Sequence, residues 1–148
     1  MVFLDSNLFL IDRFFRRDVL YEPTRAFLSR LKEIPAVLSL FTLLELCGAA
    51  SFRLRPLEAG RWLHQFGTIY PVQILSPFGM GDERAVAWMG TWTDELGIYL
   101  ARRMTLGDAF LAREADRHAA DAIVTWNLKD FEGKTTVPVF TPRTYPVP

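Results

Sequence analysis

Five short stretches are apolar almost without interruption: Val2–Leu4, Ala36–Ser39, Val72–Leu75, Ala122–Trp126 and Val137–Phe140. A strand wet on one face alternates apolar and polar residues, whereas a continuous run belongs to a strand covered on both faces. Between these runs the period lengthens. Leu8, Ile11, Phe14 and Phe15 recur at helical spacing, Pro23 opens a second helix reaching Lys32, and Arg55–Gln65 reads as another. Two or three helices are expected between Asp82 and His118, after the turn signal SPFGMG. Strands alternating with helices require right-handed crossovers. The expected fold is α/β: one domain over residues 1–148, with a mainly parallel central sheet of about five strands and helices on both faces.

The stretch AVLSLFTLLELCGAA, residues 36–50, holds a single acid, Glu45, among apolar neighbours. As a helix this segment is apolar all round and is expected to be buried. It is too short for a membrane span of about 20 residues. A carboxylate in such surroundings must neutralise, find a cation or coordinate a metal.

Three further acids stand where a parallel sheet collects ligands, beyond the carboxyl ends of its strands. Asp5 follows the first strand directly, and Asp108 lies on the inward stripe of TLGDAFLAREA with Leu111, Ala112 and Ala115. Asp130 closes TWNLKDF after the fourth strand. Each has a plainer reading. Asp5 suits a helix N-cap, Thr105 and Asp108 fit a capping box, and Asn127 with Asp130 fits another cap. Together they carry more, because the topology brings the ends of strands one, two and four to one edge. Carboxylates gathered there raise each other's pKa, and a divalent cation relieves the repulsion. Oxygen ligands without a Cys/His cluster select Mg²⁺ or Mn²⁺ over zinc. Asp12, Asp18, Asp94, Asp116 and Asp121 read as surface or helix-end charges, Arg113, Glu114, Arg117 and His118 as a wet helix face, and His64 as a surface histidine.

Composition narrows the classes further. Basic and acidic residues balance at 17 each, so net charge gives no steering towards nucleic acid. The basic residues are fourteen Arg against three Lys. Arg suits phosphate through its planar fork, and a compositional bias gives the same excess. Cys47 alone precludes an internal disulfide framework and fits a reducing, cytoplasmic setting. The opening MVFLDSNLF lacks the basic and cleavage features of a signal peptide.

FLDSN, SLFTLLELCGA and LGDAFLAREADRHAADAIVTWNLKDF, in that order and spacing, resemble the PIN-domain superfamily, and within it the VapC-type toxin ribonucleases. The resemblance covers nearly the whole chain. It implies that Asp5, Glu45 and Asp108 are the first three catalytic, metal-binding acids. Some members place the fourth acid where this chain has Asn127, others at the position of Asp130; Asp130 is taken as the fourth and Asn127 as a supporting contact. Ser6, Asn7 and Thr125 match positions that hold the site or its metal-bound water.

The resemblance implies a Mg²⁺- or Mn²⁺-dependent endoribonuclease acting on RNA, restrained by a cognate antitoxin. Arg13, Arg16, Arg17, Arg102 and Arg103 are candidates for gripping the RNA backbone. A homodimer is expected, both from the resemblance and from the apolar surplus of Phe14, Phe15, Trp88 and Trp92. The alternative is a PIN-like module that binds RNA or protein without cutting. A haloacid dehalogenase-type phosphatase needs a second Asp where Asn7 stands. A ribonuclease H-like sheet begins with antiparallel strands, for which the N-terminus has no hairpin signal.

Overall fold

A computed structural model describes residues 1–81 and 84–146 of the chain. The strands are β1 (Val2–Leu4), β2 (Ala36–Ser39), β3 (Gln73–Leu75), β4 (Ala122–Val124) and β5 (Val139–Phe140). All pair in parallel, in the order β3-β2-β1-β4-β5. Successive side chains of a strand point to opposite faces, and here both faces are dry. Val2, Leu4, Ala36, Leu38 and Val124 join one apolar cluster, while Phe3, Val37 and Ile123 join the other. The uninterrupted apolar runs thus mark a sheet covered twice.

Helices α1 (Ser6–Phe14), α2 (Tyr21–Ser29), α3 (Leu40–Ser51) and α4 (Pro56–Ile69) supply Leu8, Phe27, Leu43, Leu46, Trp62 and Phe66 to the first cluster. Helices α5 (Ala85–Ala101), α6 (Leu106–Arg117) and α7 (Leu128–Phe131) supply Leu96, Leu111, Ala112 and Phe131 to the second. The boundaries moved modestly. Pro23 lies inside the first turn of α2, Lys32 falls in a separate 3-10 turn, and α4 continues past a non-helical Gln65. Two helices follow β3 before β4, and the expected start of that region at Asp82 lies outside the described residues. Among the described residues no helix is long and apolar enough to cross a membrane.

Three expectations about burial are overturned. Helix α3 is not buried all round: Thr42, Leu43, Leu46 and Ala50 face inward, whereas Leu44, Glu45, Gly48 and Ala49 are exposed. Its inward side packs against α1, α4, α6 and the edge of the sheet at β2 and β3, which leaves the other side open. Arg113 and Glu114 are not on a wet face; they are 2% and 1% exposed. Arg113 pairs with Glu95 of α5 at 2.8 Å, and Glu114 accepts the Phe78 backbone N–H at 2.9 Å, so the buried charges are bonded on both sides. His118 is half-buried between the Phe3 and Phe78 rings, with Nε2 3.6 Å from Glu114. Finally, Asp12 is buried rather than superficial, holding Arg25 at 3.1 Å and the Tyr70 hydroxyl at 2.7 Å. Asp116 likewise accepts from Thr135, Thr136 and Tyr99.

Candidate active site

The sheet register builds the centre of the site. Leu4 pairs with Val124, so the next residues, Asp5 and Thr125, stand side by side at the carboxyl edge. Asp5 N–H donates to Val124 O and Thr125 N–H to Phe140 O, which extends the ladder to both. The Thr125 hydroxyl, fully buried, then donates to Asp5 Oδ2 at 2.6 Å. It accepts from Asn7 Nδ2 at 3.1 Å and from the Asn127 N–H at 2.9 Å, which uses all its hydrogen-bonding capacity.

Asp5 is 6% exposed and is also the N-cap of α1. Its Oδ2 is gripped by Thr125 and, at 2.7 Å, by Asn7 Nδ2. Oδ1 is held more loosely, by the Ser6 hydroxyl at 3.2 Å and the Asn7 N–H at 3.4 Å. Burial pushes the Asp5 carboxyl above its ordinary range, the Thr125 and Asn7 hydrogen bonds pull it back, and the charge of Asp108 raises it again.

Glu45 reaches the same place from α3, whose N-cap, Ser39, accepts the Thr42 N–H at 3.1 Å. Its residue is exposed, but the carboxylate end rests on Gly107. An ideal Cβ built on Gly107 would lie 2.3 Å from Glu45 Oε1. Desolvation raises the Glu45 carboxyl most, the charges of Asp5 and Asp108 add to the rise, and the Ser6 hydroxyl opposes it. Asp108, half-buried in the first turn of α6, is raised by burial and by Asp130, against the Thr105 hydrogen bond and Lys134. Thr105 is the N-cap, and its hydroxyl donates to Asp108 Oδ2 at 2.6 Å. The capping readings of Asp5 and Thr105–Asp108 are therefore also realised.

Asp5, Glu45 and Asp108 are brought within electrostatic reach of one another. Asp130, half-buried on α7, is felt by Asp108. Asn127 precedes α7, is exposed, and contributes its backbone N–H to Thr125. Gly107 was not singled out from the sequence. Its signal was a glycine inside a helix turn, where it costs roughly 0.5–1 kcal/mol relative to alanine.

Whether these residues fit a divalent ion can be tested on their geometry. Among the described residues, no group of three or more His, Cys, Asp or Glu side chains stands close enough to hold a metal by itself. An ion of the Mg²⁺ type keeps several waters and takes only one or two carboxylates directly. The loosely held Asp5 Oδ1 and the oxygen-only donor set suit it, as does Asn7 Oδ1, a buried acceptor with no hydrogen-bond partner. The fit is to a hydrated ion, with some acids acting through water.

An all-parallel five-stranded sheet with acids from separate segments at its carboxyl edge defines a PIN-like α/β fold. No family model and no curated protein matches the sequence. Solved structures do resemble it. A chain of FitAB bound to an IR36 DNA fragment has TM-score 0.65 and 19% identity, over 99% of this chain and 98% of that one. A chain of VapBC2 from Rickettsia felis, bound to a DNA fragment from its promoter, has TM-score 0.65 and 17% identity, over 95% and 98%. VapBC-1 from nontypeable Haemophilus influenzae gives 0.62 and 20%, over 97% and 100%. At these identities the likeness is one of fold.

Proposed function

We propose that this protein is a Mg²⁺- or Mn²⁺-dependent endoribonuclease, the cytoplasmic toxin of a toxin–antitoxin pair. The observation that carries this reading is the convergence of three acids from distant segments at one edge: Asp108 bears on the buried Asp5, and both bear on Glu45, whose carboxylate rests on Gly107 beside Asp108. Side chains with only a structural role gain nothing from such repulsion; a site for a cation does.

When bound, the ion would neutralise phosphodiester oxygens and lower the pKa of an attacking water. Asp5, Asp108 and Glu45 would hold it, with Asp130 the fourth acid acting on the Asp108 side. Thr125 and Asn7 fix the Asp5 carboxylate so that Oδ1 is presented outward. Ser6 donates to Asp5 Oδ1 and lies within reach of Glu45, and Asn7 Oδ1 would accept a hydrogen bond from a water or substrate hydroxyl. Asn127 supports Thr125 from behind. That no three His, Cys, Asp or Glu side chains among the described residues stand close enough to hold an ion by themselves gives the alternative, a PIN-like module without catalysis, its one specific support.

The test is cleavage of single-stranded RNA with Mg²⁺ or Mn²⁺, with chelator, and with Asp5→Asn. The expected outcome is metal-dependent cleavage lost by orders of magnitude in the variant. Equal activity in all three arms would remove the acids from the mechanism, and absence of cleavage in every arm would leave the binding module.

Two partners belong to this reading: a small antitoxin that blocks the site, which the VapBC and FitAB likeness supports, and a second copy of the chain. Helix α5 buries only Leu96 and Tyr99 and exposes Val86, Met89 and Ile98. Trp88 and Trp92 stack at 5.9 Å and are half-buried, as is Phe14, while Phe15 is 41% exposed. A symmetric interface on α5 would cover the first set. Light scattering that gives a monomer mass at high concentration would count against it.

A further inference from the structure

Away from the acids, a cleft of about 530 Å³ opens between the last turn of α1, the start of α2 and α4. Its charged lining is Arg13, Arg16, Arg25 and Arg61 against Asp12 and Glu58. Both carboxylates are already engaged: Asp12 with Arg25 and Tyr70, Glu58 with Arg13. Arg16 and Arg61 are exposed and have no carboxylate partner among the described residues. Two uncompensated guanidiniums therefore face one concave surface. The Tyr70 hydroxyl and the buried Trp62 make its wall.

The basic surface continues past this cleft. Arg13 and Arg16 also line an adjoining groove with Phe15, Arg17 and Asp18, whose carboxylate accepts the Leu20 N–H at 2.8 Å. There the Arg53 guanidinium lies 4.7 Å from the centre of the exposed Phe15 ring. Guanidiniums spaced along a continuous groove, with an aromatic face among them, match a single-stranded polynucleotide: Arg takes phosphates bidentately and an exposed ring takes a base. A free small anion would need only the first cleft.

We propose that this track binds the phosphate backbone of single-stranded RNA, with Arg16 and Arg61 as its principal phosphate contacts. Helix α1 carries Asp5 at its N-cap and Arg13 in its last turn, about 12 Å apart along the helix axis. The track thus begins at the end of α1 away from the acids, where it would grip RNA outside the acidic pit and supply affinity that the pit cannot. This placement rests on the nuclease reading; the binding itself does not.

The experiment measures binding of a fluorescent single-stranded RNA to the full chain in chelator, where cutting is prevented, across a salt series. Arg16→Ala/Arg61→Ala alters exposed side chains without bonding partners, so the double variant folds; a circular dichroism melt checks this. Each lost phosphate contact flattens the log K against log salt slope by about 0.7. The double variant should be shallower by roughly 1.4 and at least about tenfold weaker at 0.1 M salt. Inorganic pyrophosphate should compete with RNA on the wild type and not on the variant. An unchanged slope and affinity overturns the proposal. So does binding of an acidic peptide that the variant loses while RNA binding persists, which would assign the cleft to a protein partner. If the variant loses RNA binding but the wild type never cleaves with metal, the track stands and the nuclease reading fails. If cleavage is intact and RNA binding never depended on these arginines, the reverse holds.

Discussion

The Glu45 carboxylate rests where a side chain on Gly107 would begin: an ideal Cβ there meets Oε1 at 2.3 Å and the carboxyl carbon at 2.9 Å. Gly107 lies one residue before Asp108, so the missing methyl makes room for one acid beside another. The obstructing atoms are the far end of a flexible side chain. Gly107→Ala should therefore keep the fold, and gain up to about 1 kcal/mol of helix propensity, while displacing the carboxylate. Mn²⁺ affinity by calorimetry should fall roughly tenfold. Adding Glu45→Asp, shorter by one methylene, should recover part of the loss. Unchanged affinity in Gly107→Ala would mean that Glu45 takes no part in holding the ion.

Thr125 anchors the Asp5 carboxylate. Thr125→Val keeps the shape and deletes a hydroxyl that satisfies Asp5, Asn7 and Asn127. Leaving a buried donor or acceptor unpaired costs about 1–3 kcal/mol. Thermal denaturation should show a clear fall in midpoint, whereas Thr125→Ser should stay near wild type. Equal behaviour of the two variants would show that the methyl, not the hydroxyl, matters.

Metal should stabilise the folded chain through the acids. At about 100 times its Kd, Mn²⁺ adds roughly 2.7 kcal/mol, which differential scanning fluorimetry reads as a raised melting temperature. Asp108→Asn should remove most of that gain. The same shift in both proteins would place the ion elsewhere.

The acids also fix the sign of a pH effect without metal. Asp5, Glu45 and Asp108 are raised in the folded state from ordinary values of 3.8, 4.5 and 3.8. As pH climbs through the interval above those values, the unfolded chain ionises first, so stability falls. In chelator the protein should lose stability to urea, through these groups, as pH rises from 4 to 7.5, and Asp5→Asn should reduce the loss. A midpoint that rises with pH in wild type, by an amount Asp5→Asn leaves unchanged, would contradict the raised carboxyls.

Arg113 and Glu114 also pair with each other, at 2.5 Å in the buried interior, and this gives a prediction independent of function. Removing one partner leaves an uncompensated buried charge, a loss of about 3–5 kcal/mol. Arg113→Ala should unfold at markedly lower urea than wild type; a shift under 1 kcal/mol would mean that Glu114 is compensated by His118 or Phe78 alone.

The sheet was legible because the strands' apolar runs are unbroken, and a parallel sheet needs both of its faces dry. Asp5, Asp108 and Asp130 stood out because they follow a strand or open a helix at the carboxyl edge of the sheet, and Glu45 because its sequence neighbours are apolar. The sequence alone determined the strand–helix alternation, the helix caps at Asp5 and Thr105, and the identity of the acids that could meet. Tertiary packing alone decided which faces are dry. It left α3 half open, since too few helices cover it, and closed over Arg113, Glu114 and Asp12, whose partners lie far away in sequence. It also decided that Gly107 lies beneath Glu45 and that Arg16 and Arg61 share one cleft. Periodicity describes one element at a time. Contacts between α3 and α6, or between α1 and α4, depend on the angles at which separate helices cross the sheet, and local sequence carries no record of those.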